Sequence, residues 1–282
     1  MQVRLTTLCE NAAGEIGFTG EWGLSILVEA GGEAVLLDAG FSDSIMRNAL
    51  AGGVDLGKVS KIVISHGHMD HTGGLRLLLQ VMRKKVDIYA HPEMWGGKYA
   101  RISQPGSKDT SYRYVGVPFC REELEGLGAS FIFTKEPVWL NDYVVTTGEV
   151  PMVTSFEKVD DNMYVRDGDS FLPDTMPDDQ SLIVKTDKGL VVVLGCAHRG
   201  MVNTMLHAQK ITGTEKIHAV VGGTHLIRAG EQQLRETIAA LRKMGVEKIG
   251  VSHCTGLPAA SVLAREFGDR FFFNNAGSVV EL

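Results

Sequence analysis

The sequence predicts an α/β fold, on three observations. Short runs rich in Val, Ile and Leu recur along the chain, apolar residues at helical spacing lie between several of them, and the C-terminal part alternates strand with helix. With 282 residues the chain can bury a large core, as one layered unit or as two smaller ones. No flexible linker separates its halves, and each half combines apolar strands with flanking helices, as two similar layers facing each other would. The expectation is therefore one domain over residues 1–282.

Gly23 to Ala30 and Glu33 to Asp38 are apolar runs joined by Gly31-Gly32, the pattern of a hairpin. A helix is expected at about Ser42 to Leu50, where Ser42 can cap, and then a short apolar strand at Lys61 to Ile64. Leu75, Leu78, Leu79 and Met82 fall at helical spacing between Thr72 and Arg83, which predicts an amphipathic helix. From Pro92 to Pro118 regular patterning gives way to Gly, Ser, Pro, Tyr and Trp with scattered Lys and Arg, a composition suited to a long surface excursion, a lid or insertion. A second irregular stretch, Phe156 to Asp179, is rich in Asp and broken by Pro173 and Pro177, and is expected to cross from one half to the other. Beyond it come strand Leu190 to Leu194, helix Met201 to Thr212, strand Ala219 to Val221, helix Glu231 to Met244 and strand Lys248 to Val251.

Composition excludes several classes. Hydrophobic residues make up 44% and charged residues 22%, values of an ordinary globular protein rather than a disordered one. No apolar run is long enough to span a bilayer and Met1 to Leu5 shows no signal-peptide pattern, so a cytoplasmic location and no membrane partner are expected. Lys and Arg number 28 against 34 Asp and Glu, a net charge of −6 that works against a broad nucleic-acid surface. The four cysteines, Cys9, Cys120, Cys196 and Cys254, are spread out with no CxxC pair, which suggests reduced thiols rather than a disulfide framework.

The segment Ile64 to Gly74 carries the chemistry. His66, His68, Asp70 and His71 put three imidazoles and a carboxylate within six residues at the end of an apolar strand. His66 and His68 can point to one side of an extended turn while Asp70 and His71, opening the next helix, address a second point nearby. These are ligand types for zinc, iron or manganese, so the spacing predicts two adjacent divalent cations, with zinc the first candidate. His198 and His253 each follow an apolar strand, and ligands converging from several strand ends are how open α/β sheets build sites. A hydrogen-bonded core histidine is the competing assignment for both. His225 has the same context and is a ligand, a pocket wall or structural. His91, His207 and His218 lack partners at ligand spacing.

This HxHxDH run resembles the signature of the metallo-β-lactamase superfamily, and the resemblance implies a four-layer αββα sandwich. Leu36 to Gly40 resembles that superfamily's early Asp-containing turn, where Asp38 would orient the metal loop from behind the ligands; capping of the helix near Ser42 is the alternative. Many members carry a bridging Asp in a Gly-Asp pair. Here Gly195-Cys196 stands there, so Cys196 is a thiolate ligand or a buried thiol, with His198 taking over the missing duty. The usual Pro-Gly-His turn has its nearest counterpart in Thr147-Gly148-Glu149, which makes Glu149 a ligand, a proton acceptor or a plain surface residue. Gly195 to Thr204, Gly222 to Leu226, Ser252 to Gly256 and Pro177 to Ser181 resemble the dihydropteroate-synthase-like metal-dependent hydrolases. That branch is related to the archaeal enzyme joining a dihydropterin to a ribofuranosylaminobenzene phosphate.

The resemblance implies a metal-dependent hydrolase, or a pterin-type transferase, acting on a small phosphorylated molecule. Asp70 is the residue whose loss should abolish activity, and Arg199 is the best single candidate for an anion contact, against a surface arginine. Trp95, Lys98, Tyr99, Arg101, Lys108, Tyr112, Arg113 and Tyr114 pair flat rings with cationic heads and would suit an aromatic anion, or form a solvated loop. A nuclease or phosphodiesterase of the same superfamily is the rival, disfavoured by the acidic balance. A non-catalytic metal-binding sensor is the second alternative. The di-iron oxygen and nitric oxide reductase branch would have Glu at position 68 and an appended flavin domain, and an exported lactamase would carry a signal segment.

Overall fold

The computed structural model describes residues 1–103 and 110–282. Two large mixed sheets face each other. The first runs in spatial order Val279–Glu281, Arg4–Cys9, Ser25–Ala30, Glu33–Leu37, Lys61–Val63, Val86–Ala90 and Ala129–Phe133, with the last four strands parallel. The second runs Phe271–Phe273, Lys248–Ser252, Ile217–Gly223, Gly189–Leu194, Ser181–Thr186 and Val144–Thr146, with the first four parallel.

Both faces of the central strands are buried, and the alternation of side chains along each strand assigns them. Leu37, Val63 and Val35 point at the opposite sheet, where Val191, Val193, Ala219 and Val221 meet them. Their neighbours Leu36, Ile62 and Ile64 turn outward onto Leu75, Leu78 and Leu79 of the helix Leu75–Met82. In the second sheet Val192, Leu194 and Val220 turn outward onto Met205, Leu241 and Leu263, carried by helices Met201–Thr212, Glu231–Lys243 and Leu257–Phe267. Each such side chain contributes about 1.5–3 kcal/mol on burial. The layers are helix, sheet, sheet, helix, as the resemblance implies. Among the described residues no helix is long and apolar enough to cross a membrane.

The Gly31-Gly32 hairpin forms as expected, with both glycines at positive φ. Two expectations need correction. The first helix is Ser44–Ala51, and the Ser42 hydroxyl donates to Glu21 instead of capping it. The amphipathic helix expected between Thr72 and Arg83 forms as Leu75–Met82, preceded by a separate short helix, Met69–Thr72. At Gly73 and Gly74 the carbonyls of Phe41 and Ala39 pass 2.1 Å from where a Cβ would sit, so only glycine admits that close packing behind the His66–His71 segment.

The second correction concerns the stretch 92–118, whose described residues include two strands. Strands Lys98–Ser103 and Thr110–Tyr114 pair with each other, and Met163–Asp167 and Ser170–Pro173 extend them into a four-stranded sheet. Its rings serve the protein itself: Tyr112 stacks on Phe171 at 3.8 Å, Tyr99 meets Tyr114 and Phe171, and Trp95 packs on Phe131. Arg101 bonds the Tyr164 hydroxyl, Arg113 is exposed, and Lys108 lies outside the described residues. The stretch 156–179 accordingly contains a hairpin rather than a bare crossing.

Candidate metal centre

The C-terminal ends of parallel strands from both sheets open onto one rim. Asp38 follows Glu33–Leu37, His66 and His68 follow Lys61–Val63, and Asp70 and His71 lie in the short helix Met69–Thr72. From the other sheet, Cys196 and His198 follow Gly189–Leu194, His225 follows Ile217–Gly223, and His253 follows Lys248–Ser252. The structure brings all of these together.

Donor atoms converge in two main groups, His66/His68/His198 and Asp70/His71/His253. In the first, His66 Nε2 lies 2.9 Å from His68 Nδ1 and 3.2 Å from His198 Nε2. In the second, His253 Nε2 lies 3.2 Å from Asp70 Oδ2 and His71 Nε2 lies 3.9 Å from the same oxygen. The rings of His66 and His71 join the groups with centroids 4.2 Å apart, and Cys196 Sγ lies 3.1 Å from His71 Nε2. Cys196, His225 and Cys254 form a further donor group behind them.

Hydrogen bonding on the outer sides decides which ring nitrogens face inward. Asp38 Oδ1 accepts from the Ser65 amide, and its Oδ2 accepts from the Ser65 hydroxyl at 2.7 Å and from His71 Nδ1 at 2.6 Å. Since the Ser65 proton is spent on Asp38, its oxygen accepts from His66 Nδ1, 2.9 Å away. His66 and His71 therefore carry their Nδ1 protons outward and turn Nε2 to the centre. On the opposite side Asn11 Nδ2 donates to the His253 carbonyl, so its Oδ1 accepts from His253 Nδ1, which turns His253 Nε2 toward the Asp70 carboxylate. Imidazole nitrogens and a carboxylate oxygen converging on common points are the donor types of a cation site. Donor atoms around a tetrahedral zinc stand about 3.3 Å apart, close to several of the separations here, so the donor groups fit a divalent cation.

Electrostatics agree. Burial holds His66 and His198 well below the usual imidazole range and His68 down to about 3, so all three are neutral and ready to ligate. Burial also pulls His71 down, but Asp38 and then Asp70 outweigh it and raise it to about 9; a cation would displace that proton. Burial opposes ionisation of Asp70, yet His71 and His253 keep its carboxyl below the ordinary range. Trp22 Nε1 donates to Asp70 Oδ2 at 3.0 Å. Burial pushes the Cys196 thiol well up, so thiolate character there requires a cation.

The remaining residues divide. His225 pairs with Asp160 at 3.2 Å and lies 4.0 Å ring to ring from His198, beside the first group rather than in it. Arg199 donates its amide to Asp179 and its guanidinium to the Thr175 carbonyl, and its Nε is buried without a partner among the described residues. Glu149 joins none of the donor groups: it accepts from His91 Nε2 at 2.9 Å and meets Lys135 at 3.3 Å.

Lys98, grouped in the sequence with contacts for an aromatic anion, is instead buried: 2% exposed, it bonds Asp174 at 2.8 Å and Asp178 at 2.9 Å, and the other oxygen of Asp178 accepts from the Gly67 amide between His66 and His68. The roles of Asp178, Asp179, Asn11 and Trp22 escaped the sequence reading. Burial first, with a smaller push from Asp178, raises Asp179 to about 7 against the amides of Arg199 and His198. The Asp178-Asp179 pair heading a strand was the available signal. Nothing local marks Asn11 or Trp22.

Comparison with known proteins agrees with the geometry. Residues 22–202 match the Metallo-beta-lactamase superfamily. The chain is 31% identical over 288 residues to the 7,8-dihydropterin-6-methyl-4-(beta-D-ribofuranosyl)-aminobenzene-5'-phosphate synthase of Methanocaldococcus jannaschii, covering 99% of this chain and 96% of that one. Tm1679, a metal-dependent hydrolase of the beta-lactamase superfamily, superposes with a TM-score of 0.85 at 29% identity, with 99% of each chain covered. YhfI from Bacillus subtilis shares the fold at 13% identity and a TM-score of 0.59, with both chains fully covered. The chain belongs to the metallo-β-lactamase superfamily. Within it, the chain falls in the branch that holds the methanopterin-pathway synthase.

Proposed function

We propose that the protein is a metal-dependent hydrolase or transferase that uses two divalent cations on a small phosphorylated substrate, with a pterin-like body the leading candidate. The observation that carries this reading is the pair of donor groups, His66/His68/His198 and Asp70/His71/His253, meeting at the contact between His66 and His71. An imidazole-rich set with a thiol beside it favours zinc over manganese, with iron the other metal this set suits. The relation to a synthase whose product is an aminobenzene ribosyl phosphate supports a phosphorylated, ring-bearing substrate.

Divalent cations held there would supply Lewis acidity, activating water near neutral pH or neutralising a departing phosphate. The chain's own residues do the rest. Asp38 keeps the outward protons on His71 and, through Ser65, on His66. Asn11 and Trp22 fix His253 and Asp70 in the same manner. Arg199, next to His198 in the chain, is the candidate contact for an anionic group.

Metal analysis and a substrate screen test the reading. About two equivalents of metal per chain and turnover of a phosphomonoester, phosphodiester or pterin diphosphate are expected, and Asp70→Ala should abolish that turnover. Unchanged turnover in Asp70→Ala overturns the reading, while full metal content with no turnover of any of these compounds points to a binding or sensing protein. The net charge of −6 argues against the nuclease alternative.

A further inference from the structure

Four large apolar side chains left 45% to 77% exposed, Trp22, Ile227, Leu257 and Phe273, line a single cavity of about 460 Å³. Soluble proteins scatter such residues singly, and a gathering of them marks a contact surface. This gathering adjoins the metal rim. His253 forms part of the wall, and the ring of Trp22 lies 5.0 Å from the His253 ring while its Nε1 holds Asp70.

The polar groups in the cavity narrow what it takes. Glu10 and Asn11 are spent on His253, and the Thr255 hydroxyl is engaged by Ser252 and Thr224. The half-buried side-chain amide of Asn275 in the wall offers a donor and an acceptor to a ligand edge. No Lys or Arg lines the cavity, so a phosphate would find no cation there. The volume lies within the range of about 300–1,000 Å³ common for small-molecule sites, whereas a protein partner needs roughly 800 Å² of contact on each side.

We propose that this cavity binds the planar, nitrogen-containing ring of the substrate, its faces against Trp22, Leu257 and Phe273 and its polar edge at Asn275, so that the phosphorylated end points away from it. The proposal rests on the reading of the metal centre as a small-molecule enzyme. It sets the orientation in which that molecule lies.

Pterin itself is the probe, titrated into metal-loaded protein by calorimetry and by tryptophan fluorescence. Saturable binding that quenches Trp22 emission is expected. Leu257→Arg and Phe273→Ser, both at exposed positions, should each weaken binding by about tenfold or more with metal content and thermal stability unchanged. Absence of saturable binding to the unmodified protein, or affinities within about twofold of it in both variants, overturns the proposal. Weakened pterin binding in the variants without turnover of any phosphorylated substrate retires the functional reading and leaves the ring site standing. Turnover with KM unaltered in both variants retires the ring site and leaves the functional reading.

Discussion

The two sheets build one rim by different means. The first supplies His66, His68, Asp70 and His71 from a single stretch of chain, so that continuity alone places four donors. The second supplies Cys196, His198, His225 and His253 from the ends of three separate strands. The backbone records the difference: Ala197, His225 and His253 sit at φ of 53°, 50° and 53°, a region that costs a side-chain-bearing residue about 1–3 kcal/mol. No residue from His66 to His71 does so; in the first sheet the strained residue is Asp38, at φ 60°, which bonds Ser65 and His71 and joins no donor group. Strain of this kind persists where neighbours overdetermine it. Glu10 and Asn11 clamp His253, and Asp160 clamps His225. A dense motif thus places donors through local geometry, whereas donors given one at a time require distant partners to hold them.

The sharpest way to break this comparison is to ask whether both halves are equally needed. His66→Ala and His253→Ala should each release about one metal equivalent and slow turnover by about a thousandfold, several kcal/mol of barrier; a His253→Ala protein with full metal and normal turnover would confine the site to the first sheet. Next in size is Lys98→Met, which leaves Asp174 and Asp178 buried without their cation. Urea unfolding should show a loss of about 3–5 kcal/mol, and a loss under about 1 kcal/mol would mean the tether to Gly67 is dispensable. Asp38→Asn should weaken metal binding by about 10–100-fold in competition with a chelator, since the amide cannot accept from both Ser65 and His71 as the carboxylate does. Affinity within about twofold of the parent would show that His71 keeps its orientation unaided. The smallest effect belongs to Glu149→Gln, which lies outside both donor groups and should leave turnover within about twofold; a large fall would return Glu149 to the site.

The same contrast explains what the sequence made legible. The run from His66 to His71 announces itself because its function is local, and the helix Met201–Thr212 could be bounded because Gly200 and Gly213 flank it. Strands Arg4–Cys9 and Val279–Glu281 pair across the two ends of the chain, and no turn signal links them. The sheet over 98–114 and 163–173 was hidden for another reason. Its strands are polar, aromatic and largely outside the core, so burial imposes no alternation on them. Asn11 acts on a residue 242 positions away and Asp178 on one 111 positions away, contacts that no local pattern encodes. Glu149 illustrates the converse: position by analogy suggested a donor, and its side chain turned instead to His91 and Lys135.

The ammonium of Lys98 ties the outlying four-stranded sheet to the turn between His66 and His68. That sheet is woven from two excursions far apart in sequence, so it cannot be exchanged one loop at a time. Grafting 98–114 from a relative without the matching 163–178 would maroon a buried charge and loosen the turn between His66 and His68. The greasy mouth around Leu257 has no such anchor, and an engineer wishing to retarget this scaffold would begin there with single substitutions.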